Sequence, residues 1–348
     1  MKKILITGGM GFMGSHFIKK IYYNFPEYGI VHLDLKTYAG NRENLKGIKE
    51  SDDIKYTEKY TFFKGNVADK DLVRKLFEKY QFEYVFHFAA ESHVDRSHFN
   101  FGEFINTNVV GAHVIIENSH KFKVKKLIFI STDEVYGDVS EGFSDEDAKL
   151  NPSSPYSASK TSGDMIASTY IKLYKAPIII VRSGNNYGTN QYPEKLIPLT
   201  ISNLLAGEKI PVHGTGKYYR SWVHVDDFCD AVMLLAEKGP LSGIYNIAGE
   251  QLNNLDIINK IAHSMNIDVE KLIEFVPDRP VQDKRYAPDS SKIKNELGFV
   301  NKRKMDDEIG NIINWYKENK EWVDKFKTRR DSSDYFVTQS KGYFNWFK

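Results

Sequence analysis

The chain reads as an α/β protein with a Rossmann-like, doubly wound parallel sheet and a smaller, interleaved C-terminal substrate-binding domain. Two observations carry this. Short apolar runs rich in β-branched residues alternate with helical patterns through the first half of the chain, and strands that alternate with helices build parallel sheets covered on both faces. Beyond Ser183 that rhythm gives way to segments rich in Gly, Pro, Asn and aromatics, such as "GNNYGTNQYPEKLIP" and "PDRPVQDKRYAPDSSK", which shape pockets rather than cores.

In chain order, "KKILITG" predicts a first strand and is followed by a helix through about residue 23. "GIVHLDL" and "YTFFKG" predict two more strands, and a helix opens at Asp69. "YVFHFAA", a helix over about 102–122, and "KLIFIST" continue the alternation. The helix that opens at "PYSASK" leads to a sixth strand, "APIIIVRS". "SWVHVDDF" and "GIYNIAG" still read as strands, so the two domains interleave. The expected division is 1–183 for the first domain with returns near 219–249, 184–325 mostly for the second, and 326–348 as a tail with no assigned role.

Composition excludes several classes of function. With 348 residues, 41% hydrophobic, the chain can bury a sizeable core. Lys plus Arg (48) nearly balances Asp plus Glu (46), which gives no electrostatic reason to expect nucleic acid or an anionic membrane as partner. No apolar run reaches the length of a membrane span, and "MKKILITGGMGF" breaks into glycines where a signal peptide would stay apolar. The expected location is the cytoplasm. The one cysteine, Cys229, cannot form an intramolecular disulfide and sits in an apolar-periodic helix, where a buried structural thiol is expected.

"ITGGMGFMGSHF" places Gly8, Gly11 and Gly14 directly after the first strand and at the mouth of a helix. There the backbone can turn tightly and approach a pyrophosphate, while the helix N-terminus supplies amide donors. Asp34 ends the second strand, where a carboxylate accepts from both ribose hydroxyls and repels a 2′-phosphate. These features predict NAD rather than NADP. Asn66, ending "FFKGN", is read either as an adenine contact or as a turn former. "PYSASK" sets Tyr156 and Lys160 four residues apart on one helix face, with Pro155 suited to the first turn. A tyrosine is a poor base near its ordinary pKa of about 10; a nearby ammonium and an oxidised nicotinamide both favour the phenolate. Between these motifs stands "STDEVYG" (131–137), a hydrophobic strand ending in two adjacent carboxylates. Carboxylates that close repel and are costly near a core, so a purely structural strand end would seldom carry them.

These residues resemble the extended short-chain dehydrogenase/reductase superfamily. Over about residues 1–320 the chain is similar to the dTDP-glucose 4,6-dehydratase family, through "TYAGN" (37–41), "AAESHVDRS" (89–97), "STDEVYG", "SPYSASK", "NNYG" with "YPEKLIP", and "DRP" followed by "DKRYA". The resemblance implies a Tyr156 base acting on the sugar 4-hydroxyl with Thr132 beside it and Lys160 in support. Glu134 would be the base at carbon 5, and Asp133 the acid that protonates the departing 6-hydroxyl. It implies cofactor contacts by Gly8, Gly11, Phe12, Met13, Gly14, Asp34, Leu35, Lys36, Thr37, Asn66, Val67, Ala89, Ala90, Glu91, Thr107 and Asn186, together with Tyr156 and Lys160. The sugar nucleotide pocket would be lined by His93, Thr132, Asn185, Lys195, Leu196, Pro211, Val212, His213, Arg220, Asn254, Asp278, Arg279 and Gln282, with Arg220 suited to grip a pyrophosphate bidentately. No metal is implied, and a homodimer is, through the helices near 102–122 and at "PYSASK". Val281 and Gln282 stand where the family usually has glycine and histidine. UDP-glucose 4,6-dehydratases share nearly all these motifs, which leaves the nucleotide open between dTDP and UDP. A UDP-sugar 4-epimerase or decarboxylase would keep Tyr156, Lys160 and the glycines without needing Asp133 and Glu134. A non-catalytic NAD-binding protein would tend to lose Tyr156 and Lys160.

Overall fold

The structure, a computed structural model, describes residues 1–48 and 59–331, with side chains as far as Lys325. Its strands are β1 (Lys2–Thr7), β2 (Tyr28–Asp34), β3 (Tyr60–Lys64), β4 (Tyr84–His87), β5 (Lys126–Thr132), β6 (Ile178–Ser183), β7 (Asn185–Tyr187), β8 (Ile210–His213), β9 (Tyr219–His224), β10 (Gly243–Ile247), β11 (Glu250–Asn253) and β12 (Ile273–Val276). The helices are α1 (Phe12–Asn24), α2 (Lys70–Tyr80), α3 (Val94–Phe99), α4 (Phe101–Phe104), α5 (Ala112–Lys121), α6 (Pro155–Tyr174), α7 (Leu196–Ala206), α8 (Val225–Lys238), α9 (Asn254–Ser264), α10 (Ser291–Leu297), α11 (Met305–Glu318) and α12 (Lys320–Asp331).

Seven parallel strands form the main sheet in the order β10-β6-β5-β4-β1-β2-β3. Successive residues of β1 face opposite layers, so Ile4 and Ile6 pack with Phe17 and Ile18 of α1 and Phe228 and Val232 of α8, while Leu5 packs with Val73 and Phe77 of α2 and Ile115 of α5. That two-sided burial is why these strands are apolar throughout rather than alternating. Lys126 opens β5 from within this core. Its ammonium donates to the carbonyls of Leu235, Ala236 and Gly239 at 2.9–3.1 Å and satisfies the end of α8.

The chain winds outward in both directions from the gap between β1 and β4. In open α/β sheets the ligand crevice lies at such a reversal, beyond the carboxyl ends of the strands. Asp69 caps α2, accepting from the N–H groups of Asp71 and Leu72. Between α4 and α5 the expected single helix is interrupted by wider, π-type turns over Ile105–Gly111, a distortion common at functional sites.

The second lobe has its own core, in which Ile197 and Ile201 of α7, Ile257 and Ile261 of α9, Ile309 and Ile312 of α11 and Trp322 of α12 meet. Of the segment 219–249, only α8 and β10 return to the main domain; β9 joins β7 and β11 in a three-stranded sheet. The break falls at His224, whose Nδ1 accepts from Asp226 N and starts α8 where the sequence had suggested a longer strand. Cys229 is buried, and burial pushes its thiol well up, as a structural cysteine requires. Of the tail, 326–331 continue α12 and 332–348 lie outside the described residues.

Candidate active site

A cleft runs along the carboxyl ends of β1, β2, β4 and β5 and is roofed by the second lobe. At its floor Gly8 has φ +71°, and a Cβ there would stand 2.5 Å from Ala89 N; a Cβ on Gly14 would stand 2.4 Å from Gly8 O. No side chain could be accommodated at either position. α1 opens with Gly11 as N-cap and without a side-chain cap, leaving first-turn amides for an anion. Asp34 accepts from Met10 N at 2.9 Å and Lys36 N at 2.6 Å. Burial opposes its charge, yet His32 and these two N–H donors hold its carboxyl below the ordinary range. His32 is fixed in turn by Tyr60, whose hydroxyl lies 2.7 Å from Nδ1.

Asp34, Leu35, Thr37, Asn66, Val67, Ala89, Ala90, Glu91, Thr107 and Asn186 all line this cleft with Phe12 and Met13. Lys36 does not; its part is the backbone N–H, held in a left-handed turn at φ 57°. Asn66 makes a turn as well as lining the cleft, its Oδ1 accepting from Ala68 N. The π-type turns carry Thr107 to the wall, and Asn108 beside it clasps the backbone of Glu91 and Ser159 Oγ at 2.9 Å. These residues fit a dinucleotide: a glycine cradle, a carboxylate at the ribose position, and a buried Asn186 Oδ1 that has no partner.

The catalytic side is built on β5. Ser131 donates to Asp164, which holds Arg182 through two contacts of 2.9 Å; Arg182 also donates to Tyr136 OH. The turn Asp133–Tyr136 is thereby anchored at both ends to one buried ion pair, and Thr132, Asp133 and Glu134 between the anchors face the cleft. Thr132 accepts from Glu134 N as the cap of this turn. Asp133 is buried, with Oδ2 unpartnered. Burial and then the charge of Glu134 push its carboxyl well up, with Arg220 working against them. Glu134 is only partly covered; burial raises it too, while Arg220 and Lys195 pull it down. The two adjacent acids therefore stand in different fields, the condition for one to be an acid and the other a base.

Tyr156 and Lys160 lie on the first turns of α6, which Ser154 and Ser157 secure with a capping box. Their electrostatics differ from expectation. The Lys160 ammonium donates to Ile130 O at 2.6 Å, and burial lowers it to about 8. The Tyr156 phenol is pushed up, by burial first and Glu134 second, while a hydrogen bond with Thr132 works the other way. The protein's own groups thus favour the Tyr156 phenol, and a positive charge beside it would favour the phenolate that serves as a base.

Toward the second lobe the cleft is walled by Asn185 and Lys195. Lys195 donates to Ser92 O at 3.1 Å. His93, Leu196, Pro211, Val212, His213, Arg220, Asn254, Asp278, Arg279 and Gln282 stand outside the cleft lining. His93 caps α3, Nδ1 accepting from Arg96 N, and its Nε2 faces Glu194 at 3.6 Å. Arg220 is buried over the Tyr286 ring and donates from one terminal nitrogen to the Tyr219 carbonyl and from the other to the Asp283 carbonyl. Arg279 grips buried Asp95 at 2.7 and 3.2 Å and donates to Gln282. Asp278 accepts from Tyr218 OH and from Arg279 N, and His213 is bonded to Pro277 O. Pro211 and Val212 lie on β8 beside β12, and Asn254 begins α9.

Sequence reading missed Tyr38, Ser92, Gln191, Tyr192, Glu194 and Trp322, all of which line the cleft. Glu194 has its side chain 1% exposed, accepts from Tyr38 OH and Arg96 Nε, and Arg96 stacks on the Tyr38 ring at 3.8 Å. A carboxylate between Pro193 and Lys195 in "YPEKLIP" was the available signal. Among the described residues no group of His, Cys, Asp and Glu could hold a metal.

A family model described as GDP-mannose 4,6-dehydratase matches residues 5–312. The chain belongs to this dehydratase family. It is 37% identical over 331 residues to a dTDP-glucose 4,6-dehydratase of Streptomyces niveus, covering 94% of this chain and 96% of that protein. To the Escherichia coli dTDP-glucose 4,6-dehydratase it is 38% identical, over 92% and 95% of the two chains. Among solved structures, DesIV, a dTDP-glucose 4,6-dehydratase from Streptomyces venezuelae with NAD bound, superposes with TM-score 0.86 at 37% identity over 93% of this chain and 99% of that one. A UDP-glucose 4-epimerase of Thermotoga maritima reaches 0.82 at 28% identity over 91% and 99%. Dehydratase and epimerase thus share the fold, and only the site chemistry can separate them.

Proposed function

We propose that the protein is an NAD-dependent dTDP-glucose 4,6-dehydratase, a hydro-lyase that converts dTDP-glucose to dTDP-4-keto-6-deoxyglucose and water for deoxysugar synthesis in the cytoplasm. The observation that carries this reading is the pair Asp133 and Glu134, adjacent at the end of β5, both raised by burial and both facing the cleft. Epimerisation has no use for an acid and a base at carbons 5 and 6. When bound, NAD supplies a hydride sink for carbon 4, a hydride source for carbon 6 and, oxidised, a ring charge that favours the Tyr156 phenolate. Gly8, Gly11, Gly14, Asp34, Thr107 and Asn186 would hold it.

Tyr156 takes the proton of the 4-hydroxyl, with Thr132 orienting that hydroxyl. Lys160 fixes the end of β5 through Ile130 O and adds positive charge to the wall. A ketone at carbon 4 makes the carbon 5 proton acidic, and Glu134 removes it. Asp133, kept protonated by its surroundings, gives its proton to the 6-hydroxyl, and water leaves. Incubation of the protein with dTDP-glucose and, separately, UDP-glucose, without added reductant, should give a product lighter by one water, faster with dTDP-glucose. Product from UDP-glucose alone would move the assignment to a UDP-glucose 4,6-dehydratase, and no mass loss from either would end the dehydratase reading.

A homodimer is supported by one surface. Phe99, Phe101, Ile105, Val110, Met165, Leu173 and Tyr174 are exposed along α3 to α5 and α6, the two helical stretches that a second copy would cover as a four-helix bundle. No helix among the described residues is long and apolar enough to cross a membrane. Met165→Glu, which sets a charge at the centre of α6's outer face, should halve the sedimenting mass. An unchanged mass would place the dimer contact elsewhere.

A further inference from the structure

α12 lies beyond residue 312, where the family match ends, yet Trp322 on it lines the cleft. The indole Nε1 donates to Asn44 Oδ1 at 3.1 Å. Asn44, itself buried, donates from Nδ2 to Met10 O at 3.0 Å. Met10 sits between Gly9 and Gly11, and its N–H donates to Asp34 Oδ2. A line of hydrogen bonds therefore joins the C-terminal helix to the glycine cradle and ends on the carboxylate placed for the ribose. The linking turn Arg42–Leu45 is fixed from other directions too: Asn41 N donates to Met10 O, Asn190 Nδ2 reaches Asn44 Oδ1 at 3.4 Å, and Lys325 pairs with Glu43. Trp322 is held edge to face against Trp315 at 5.1 Å and packs on Tyr316, whose hydroxyl donates to Gln191 O.

We infer that α12 is a cofactor-retaining strap, with Trp322 as a positioning residue that acts through Asn44 and Met10 to hold the glycine-rich loop closed on the dinucleotide. The inference rests on the reading above that the cleft holds NAD. Its chemical sense follows from that reading: a cofactor restored at the end of every turnover has no need to leave, and each bond that stiffens its cradle slows its loss without touching the sugar. Asn44 is the joint, because its amide oxygen serves Trp322 and its amide nitrogen serves Met10.

The test loads the full-length protein with NADH, chases it with excess NAD and follows the fall in bound-NADH fluorescence. Trp322→Phe removes the donor and keeps an aromatic ring against Trp315; it should raise the release rate about fivefold, the loss expected for one neutral hydrogen bond, with the KM for sugar nucleotide at saturating NAD unchanged. Asn44→Ala cuts the bonds to Trp322 and Met10 together with the longer one from Asn190 and should raise release further. The double variant should release NADH no faster than Asn44→Ala alone, because the Trp322 hydrogen bond removed in Trp322→Phe ends on Asn44. Unchanged release in Trp322→Phe overturns the inference, as does a double variant whose effect is the product of the two single ones, or a loss of sugar affinity equal to the loss of cofactor retention. A wild-type protein that takes up no NADH would instead refute the cofactor reading, which separates the two failures.

Discussion

Replacing Tyr156 by Phe should lower turnover about a thousandfold while leaving NAD affinity nearly unchanged. The phenol is buried at the cleft wall beside Thr132, where we place the 4-hydroxyl whose proton it takes while carbon 4 is oxidised. The ring makes an edge contact with Phe104 at 6.4 Å, which phenylalanine preserves, so the loss belongs to the hydroxyl and not to packing. Isothermal titration with NAD separates the two effects. A rate within a fewfold of wild type would remove Tyr156 from the chemistry and leave the fold as the only link to the family's reaction.

The second large effect divides the two carboxyls. Glu134→Gln should abolish exchange of the carbon 5 proton with deuterated solvent and lower water loss about a thousandfold, with carbon 4 oxidation reduced far less. Asp133→Asn should keep carbon 5 exchange and lose water release, because the ketone still acidifies that proton while the 6-hydroxyl lacks its acid. Equal loss of every step in both variants would mean that the pair positions substrate and does not share the work. A stability signature accompanies this. Asp133 has its folded-state pKa above the ordinary carboxyl value of 3.8; the folded state binds the extra proton, so its stabilisation is full in acid and is lost as pH rises from about 3.8 toward the raised value. Asn carries no such penalty. Asp133→Asn should therefore melt higher than wild type near pH 7.5, and the gap should close toward pH 4. A gap independent of pH would show that the aspartate is not held against its charge.

Much of this was legible because it is local. β-branched runs, the glycines at 8, 11 and 14, Asp34 one strand later and the four-residue step from Tyr156 to Lys160 each imply their surroundings within one βα unit. Most of the failures are long-range. Nothing near Trp322 says that it meets Asn44, 278 positions away, or that Glu194 meets Arg96 across 98. The Lys160 ammonium was expected to act on Tyr156, but burial gave it Ile130 O as partner, and burial of a particular ammonium is not written in a helical spacing. Arg220 likewise carries the charge that a pyrophosphate needs, and only the fold reveals that it also donates to the carbonyls of Tyr219 and Asp283. The boundary at His224 was missed because a histidine cap looks the same in sequence as the end of an apolar strand.

The ion pair of Asp164 and Arg182 has a consequence for how this scaffold can change. It fixes Ser131 on one side and Tyr136 on the other, and with Thr132 capping the turn the frame that presents Asp133 and Glu134 does not depend on their identity. New side chains can be tried at those two positions without re-solving the packing of β5 or α6, and a reaction can be exchanged while the dinucleotide cradle stays as it is. The same frame that presents Asp133 and Glu134 dependably also makes them replaceable, a physical route for dehydratases and epimerases to diverge on one fold.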